Sequence, residues 1–355
     1  MVNAVLRDPV TGGHLLDAAP SNNPGLVAPA LLGCDAEAIG ITDLMVQVAD
    51  GSAAYPVVDG IPVLMSTERL ASERVEIQVA GTNFEEAYQE QKLYTELASS
   101  VLGSSARGLE EVRRVVETAD PSRFPEPPES WFGGGSTAGA YLKAMRHLAP
   151  VADCTVLQIG GVGTHALKLL HAGAERALIV SPVIGELVEG RAIAAEVGLA
   201  DRATFVGGVA EQLPIADSSI DRVYSGSSIH HTDTSQSFAE ISRVLSPLGR
   251  WASVDVWKST FHDVGTRLFG KCHGNPYCHP LSPVRIAPAK DAFDDCVASF
   301  HGGTVRYPLA VAERAGFRPD AKLGIQLASI EDKIKLGPLT EALSSLVCLT
   351  GSRRS

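Results

Sequence analysis

From Tyr141 onward the apolar residues fall into two alternating patterns. "AYLKAMRHLA", "THALKLLHAGA" and "GELVEGRAIAAEVGL" space them three and four apart, which predicts helices. Between these lie short apolar runs that predict buried strands: "CTVLQIG", "RALIVSPV", "ATFVGGVAEQLP" and "IDRVYSGSSIHH". "SQSFAEISRVLSPLGRWASVDVW" then predicts a helix, a turn and a fifth strand. Strands alternating with helices of this length make an α/β fold with a parallel, doubly wound sheet covered on both faces. Ligands of such sheets bind beyond the carboxyl ends of the strands.

The flanks read differently. Residues 1–66 carry short apolar runs broken by Pro and Gly, "LRDPVTGGHL" and "AAYPVVDGIPVLM", as in a small β-rich module. Residues 67–139 hold two helical patterns, "EEAYQEQKLYTELASSVL" and "LEEVRRVVE", and the linker "DPSRFPEPPESWFGGGS". The α/β domain occupies 140–260. Residues 261–355 are less regular and form a C-terminal substrate or lid region, including the loop "KCHGNPYCHPLSP".

Composition narrows the function classes. The net charge of −11 and the lack of any Lys/Arg run argue against a nucleic-acid partner. No stretch reaches the roughly 20 apolar residues of a membrane span, and "MVNAVLRDPV" lacks a signal-peptide pattern. A cytoplasmic protein is therefore expected. The six cysteines are scattered and read as thiols.

Three glycines, Gly160, Gly161 and Gly163, lie between the first strand and its helix in "VLQIGGVGTH". Together with "AEQLPIADSSIDRVYSGSSIHHTDT" and "FAEISRVLSPLGRW", this order of motifs resembles the class I S-adenosylmethionine-dependent methyltransferases. The resemblance covers about residues 140–260. It implies a Rossmann-like sheet, S-adenosyl-L-methionine as cofactor, and a glycine turn carrying the cofactor's amino-acid portion. It also implies an acid binding the ribose at the position of Ser181, and another meeting the adenine at Val209, with Ala210 beside it. This chain departs from the pattern at both positions, at Gln158, which replaces an acid, and at Val162, which replaces a glycine. The front of the chain is similar to Trm112-like modules. These often hold zinc through a C-x-x-C pair, where this chain has Asp8 and Thr11, so no metal site is expected and the module should fold around its apolar strands alone.

His230 and His231 end the fourth strand, where an imidazole with a pKa near 6.5 can act as a base. His231 or His279 is the candidate base; the alternative is that His230 packs locally and His231 shapes the loop. Cys278 and His279, in the loop with Cys272 and His273, can face substrate; their spacing fits no zinc pattern. Tyr141 and Trp131 are either lid or core residues, Arg306 and Tyr307 either anion contacts or surface, and Cys154 a buried small apolar residue. Three readings stay open. The first is methyl transfer to a small molecule of specialised metabolism. The second is a methyltransferase-fold enzyme without the cofactor, catalysing cyclisation or elimination. The third is a non-catalytic binding subunit, with a second copy or a protein partner engaged through the N-terminal module.

Overall fold

The computed structural model describes residues 5–18, 41–48, 54–58, 60–64, 116, 135–260, 279–303, 326, 330, 331, 333 and 338–354. A small antiparallel sheet is built from β1 (Leu15–Ala18), β2 (Ile41–Val48), β3 (Ala54–Val58) and β4 (Ile61–Pro62), in that order. Helix α1 (Gly135–Leu148) precedes the main sheet. Then follow β5 (Thr155–Ile159), α2 (Thr164–His171), β6 (Arg176–Ser181), α3 (Ile184–Glu196), β7 (Ala203–Gly207) and β8 (Ile220–Gly226). The chain continues through α4 (Thr234–Val244), β9 (Leu245–Val256), α5 (Pro283–Ala292), β10 (Phe293–His301), α6 (Pro338–Leu343) and β11 (Leu346–Arg353).

The seven-stranded sheet has the order β10-β11-β9-β8-β5-β6-β7. Strands β9, β8, β5, β6 and β7 are parallel, and β11 is antiparallel to both β9 and β10. This is a doubly wound, Rossmann-like sheet. Successive residues of each strand serve opposite faces. Val156, Ile179, Tyr224, Ala252 and Cys348 enter one apolar cluster, while Leu157, Leu178, Val223, Trp251 and Val347 enter the other. Both faces are therefore dry, which is why these strands read as apolar runs rather than alternations. Trp251 stacks on Phe293 at 4.6 Å and meets Phe238 edge-on at 5.1 Å, fastening α4 and β10 to β9.

Two features differ from the sequence reading. The turn expected at "SPLGR" is a bulge inside β9: Ile220 pairs with Leu245, and pairing resumes two residues later on β8 at Arg222–Arg250. The sheet also extends past residue 260, taking β10 and β11 from the C-terminal part. The two helical patterns of 67–139 lie outside the described residues, except that Val116 is helical and fully buried. Among the described residues no helix is long and apolar enough to cross a membrane.

The N-terminal sheet packs on the open edge of the main one. Val63 bridges Gly207 in parallel, and the Leu64 amide donates to the Gly207 carbonyl at 2.8 Å. Leu6 bridges Ile215, the Arg7 amide donates to the Pro214 carbonyl at 3.0 Å, and Gln212 Nε2 donates to the Pro9 carbonyl at 2.7 Å. The module thereby covers the β7 edge and holds the loop that leads to β8.

Its first turn is polar at the centre, which corrects the expectation that apolar strands alone hold it. Asp8 is buried, and a buried carboxylate must be paired. It accepts from the Val10 amide at 3.3 Å, the Thr11 amide at 3.0 Å, the Thr11 hydroxyl and the Tyr55 hydroxyl. Burial pushes the Asp8 carboxyl up, but these four hydrogen bonds outweigh it and hold it below its ordinary value. Asp8 and Thr11, which stand where the zinc cysteines were sought, are thus bonded to each other.

Candidate functional site

β5 delivers the chain into the glycine turn beside the end of β8. Gly160 and Gly161 have φ of 78° and 70°, the left-handed region that glycine adopts without strain. The family resemblance implies that this turn carries the cofactor's amino-acid portion. At Gly160 the structure gives a local reason for glycine, since a Cβ there would lie 2.0 Å from Ser228 Oγ. At Gly161 a Cβ would meet nothing nearer than Gln158 Nε2 at 3.7 Å, so this is the open side of the turn. Helix α3 presses on the turn from beyond β6, close enough that a Cβ on Gly190 would fall 2.0 Å from the Val162 carbonyl oxygen.

Gln158 serves the turn itself. Its Nε2 donates to the Gly160 carbonyl at 2.9 Å and its Oε1 accepts from the Ala166 amide at 2.8 Å. The first turn of α2 needs such an acceptor, because its N-cap, Gly163, has no side chain to offer. A carboxylate could accept from Ala166 but could not donate to Gly160. The amide at this position therefore follows from the local hydrogen bonding.

Ser181 is buried at the end of β6. Its hydroxyl accepts from the Val183 amide and donates to Glu186 Oε2, both at 3.2 Å. Glu186, in the first turn of α3, also accepts from the Gly161 amide. A carboxylate thus does stand beside Ser181, brought in by the following helix. Burial pushes Glu186 up to about 7, against the pull of Ser181, Gly161 and the nearby His231. Glu189, one turn further on, is also pushed up to about 7 by burial and by Glu186. Its Oε2 is buried without a hydrogen-bond partner among the described residues.

Across the turn, the chain leaving β8 makes a one-turn helix, Ile229–His231. Buried His230 places Nδ1 2.8 Å from Asp255 Oδ1, near the end of β9, and its amide donates to the same oxygen at 3.3 Å. Ser253 donates to the other Asp255 oxygen. Burial pushes Asp255 up, yet His230 and Ser253 together hold it below its ordinary value. The His231 ring lies tilted against the His230 ring, centroid to centroid 3.8 Å. Arg285, from α5, donates to the carbonyls of His230 at 3.0 Å, Thr232 at 2.8 Å, and His279. One guanidinium therefore ties the His279 backbone to the histidine turn.

Tyr141 of α1 stacks on His165 at 5.4 Å, and His165 lies 4.7 Å from Tyr224. Burial, with Lys168 nearby, pushes His165 down to about 3, so its imidazole is neutral. Val209 packs against one apolar cluster, and Ala210 is buried in the other. Cys154 is half-buried rather than buried, since it sits just ahead of β5 where the sheet meets solvent. Cys278, Cys272, His273, Trp131, Arg306 and Tyr307 lie outside the described residues.

Sequence reasoning missed Glu186, Asp255 and Arg285. Asp255 had a signal, an acid inside the apolar strand "WASVDVW", where a buried charge demands a partner. Glu186 had none, because an acid in the first turn of a helix reads as a response to the helix dipole.

Residues 157–252, from β5 into β9, match the family model for a methyltransferase domain. A curated relative, methyltransferase GfsG of Streptomyces halstedii, is 44% identical over 73 residues. That alignment takes in 20% of this chain and 26% of the relative, so the chain spans about a quarter of that protein's length. Among solved structures, geranyl diphosphate C-methyltransferase of Streptomyces coelicolor A3(2), with magnesium, geranyl diphosphate and S-adenosyl-L-homocysteine, is 17% identical. The match covers 61% of this chain and 79% of that one, with a TM-score of 0.44. The [4+2]-cyclase SpnF is 19% identical over 63% of this chain and 84% of its own, also with a TM-score of 0.44.

Proposed function

We propose that this chain transfers a methyl group from S-adenosyl-L-methionine to a small molecule, with a specialised metabolite as the substrate class. The observation that carries the reading is the methyltransferase-domain match at residues 157–252, which includes the whole glycine turn and the open side at Gly161. The residues there suit the cofactor. Gly161 leaves room for a close approach, and Ser181 and Glu186 put polar acceptors beside it. When bound, the cofactor supplies an activated methyl group. The chain's own part is then to position the acceptor in line, which can provide much of the rate. It would also accept the proton that the acceptor loses. His231 is the candidate base, held in place by the His230–Asp255 pair beneath it, and the His279 end of the loop is drawn to the same place by Arg285.

Isothermal titration with S-adenosyl-L-methionine and S-adenosyl-L-homocysteine tests this reading. Saturable one-to-one binding of both is expected, and heat from neither would sink it. One observation favours a second reading, an enzyme that keeps the fold and uses the cleft for cyclisation or elimination: Glu186 already takes up the Gly161 amide. On that reading neither nucleoside binds.

A further inference from the structure

Two carboxylates, Glu186 and Glu189, stand on the helix that packs on the glycine turn. A carboxylate has about four lone-pair sites. Glu186 receives the Ser181 hydroxyl and the Gly161 amide, which leaves it acceptor capacity. Behind it, Glu189 keeps a buried oxygen without a hydrogen-bond partner among the described residues. The charged neighbour that acts on Glu186 is His231, and the one that acts on Glu189 is Glu186. Helix α3 sits close on the turn, with the Gly190 backbone packed on Val162, and this sets the height of Glu186 over the turn. Two desolvated carboxylates, three residues apart on a fixed helix, are costly unless something donates to them. An anionic group would make the site worse. A hydroxyl or an ammonium would complete it.

We infer that Glu186 is the acceptor for the hydrogen-bond-donating part of the nucleoside cofactor, either its ribose hydroxyls or its amino group, in place of the acid missing at Ser181. This rests on the methyltransferase reading above. Ser181 then acts as a positioning residue, its hydroxyl aiming the carboxylate that it does not itself supply. Glu189 reinforces the acceptor character through its charge.

The inference has a signature that a packing role for Glu186 would not share. A donor ligand binds the ionised carboxylate. Glu186 lies near 7 in the free protein, so wild-type affinity should rise roughly tenfold between about pH 6 and pH 8, with proton release on binding. His231 faces the same carboxylate. It stays in place in Glu186→Gln, so loss of the pH slope in that variant assigns the slope to Glu186.

The test is titration of the full chain with S-adenosyl-L-homocysteine, using wild type, Glu186→Gln and, as a control at the exposed end of α3, Glu196→Gln. Glu186→Gln should bind about tenfold more weakly or worse at pH 8 and lose the pH slope, with Glu196→Gln unchanged. Two analogues then separate the sources, one lacking the ribose hydroxyls and one lacking the amino group. Glu186→Gln should cost nothing further against the analogue that lacks the recognised donor. Full affinity in Glu186→Gln overturns the inference and leaves the methyltransferase reading standing. Equal further losses against both analogues overturn it too. Absence of binding by wild type at any pH overturns the reading and the inference together. Circular dichroism and the melting temperature of each variant show that the comparison is between folded proteins.

Discussion

The first turn of the N-terminal module and the glycine turn of the main sheet pose the same chemical problem and solve it in opposite ways. Each lacks the group that its sequence resemblance implies, a thiolate pair in one and a ribose-binding acid in the other, and each centres on a carboxylate. Asp8 receives four hydrogen bonds from its own surroundings and is held below its ordinary value. Glu186 receives two and is pushed up to about 7, with Glu189 pushed up beside it. The first site is closed. The second still has acceptor capacity to give away. Two carboxylates in one chain thus mark, by the direction of their shifts, where the fold satisfies itself and where it is poised for something else.

The largest effect should come from breaking the closed site. Asp8→Ala strands the Thr11 amide and the Thr11 and Tyr55 hydroxyls near the module's contact with the loop between β7 and β8, and should destabilise the fold by about 3 kcal/mol in urea unfolding. Because the folded carboxyl titrates below its ordinary value, this penalty is full above about pH 4 and fades as pH falls through the folded pKa. A penalty that is unchanged in acid would show that the carboxylate is not what holds the turn.

An intermediate effect is expected at the open site from an apparent repair. Ser181→Asp puts an acid back where the family pattern has one. It would also remove the hydroxyl that donates to Glu186 and set a second carboxylate against it. Binding of S-adenosyl-L-homocysteine should weaken several-fold, measured by titration at pH 8. Tighter binding would mean that Glu186 swings away, and that the vacancy at 181 is the true defect.

The smallest effect sharpens the contrast in the absence of ligand. Folding raises the Glu186 pKa, so ionising it costs the folded state. That cost is absent below its ordinary value of 4.5 and grows as pH rises to about 7. Glu186→Gln should therefore melt higher than wild type by a few degrees at pH 8, with the gap closing below about pH 5. Over the same range the Asp8→Ala penalty should stay flat. Parallel pH profiles for the two variants would erase the distinction between the sites.

Much of the fold was legible because its signals are local. The apolar runs at "VLQI", "ALIV" and "DRVY" landed on β5, β6 and β8, and the three-four spacing of "THALKLLH" landed on α2. β11 was not legible: it inserts antiparallel between β9 and β10, a pairing set by contacts nearly a hundred residues away in sequence. The β9 bulge was read as a turn because Pro247 and Gly249 signal both. In the site, the glycine turn and His231 stood out by residue type. Glu186 did not, since one acid in a first helical turn looks like any other until α3 is seated on β6.

By itself the sequence determined the alternating α/β order, the dry strands, the glycine turn between β5 and α2, and the absence of an acid at Ser181 and Gln158, because each depends on residues only a few positions apart. Tertiary structure decided what those substitutions mean. Gln158 is spent on the turn, Asp8 on Thr11 and Tyr55, and Glu186 is delivered to the place that Ser181 leaves open. The physical reason is that a carboxylate's state depends on which donors reach it through space. Packing α3 against Val162 set those donors for Glu186, and packing β3 against the first turn set them for Asp8.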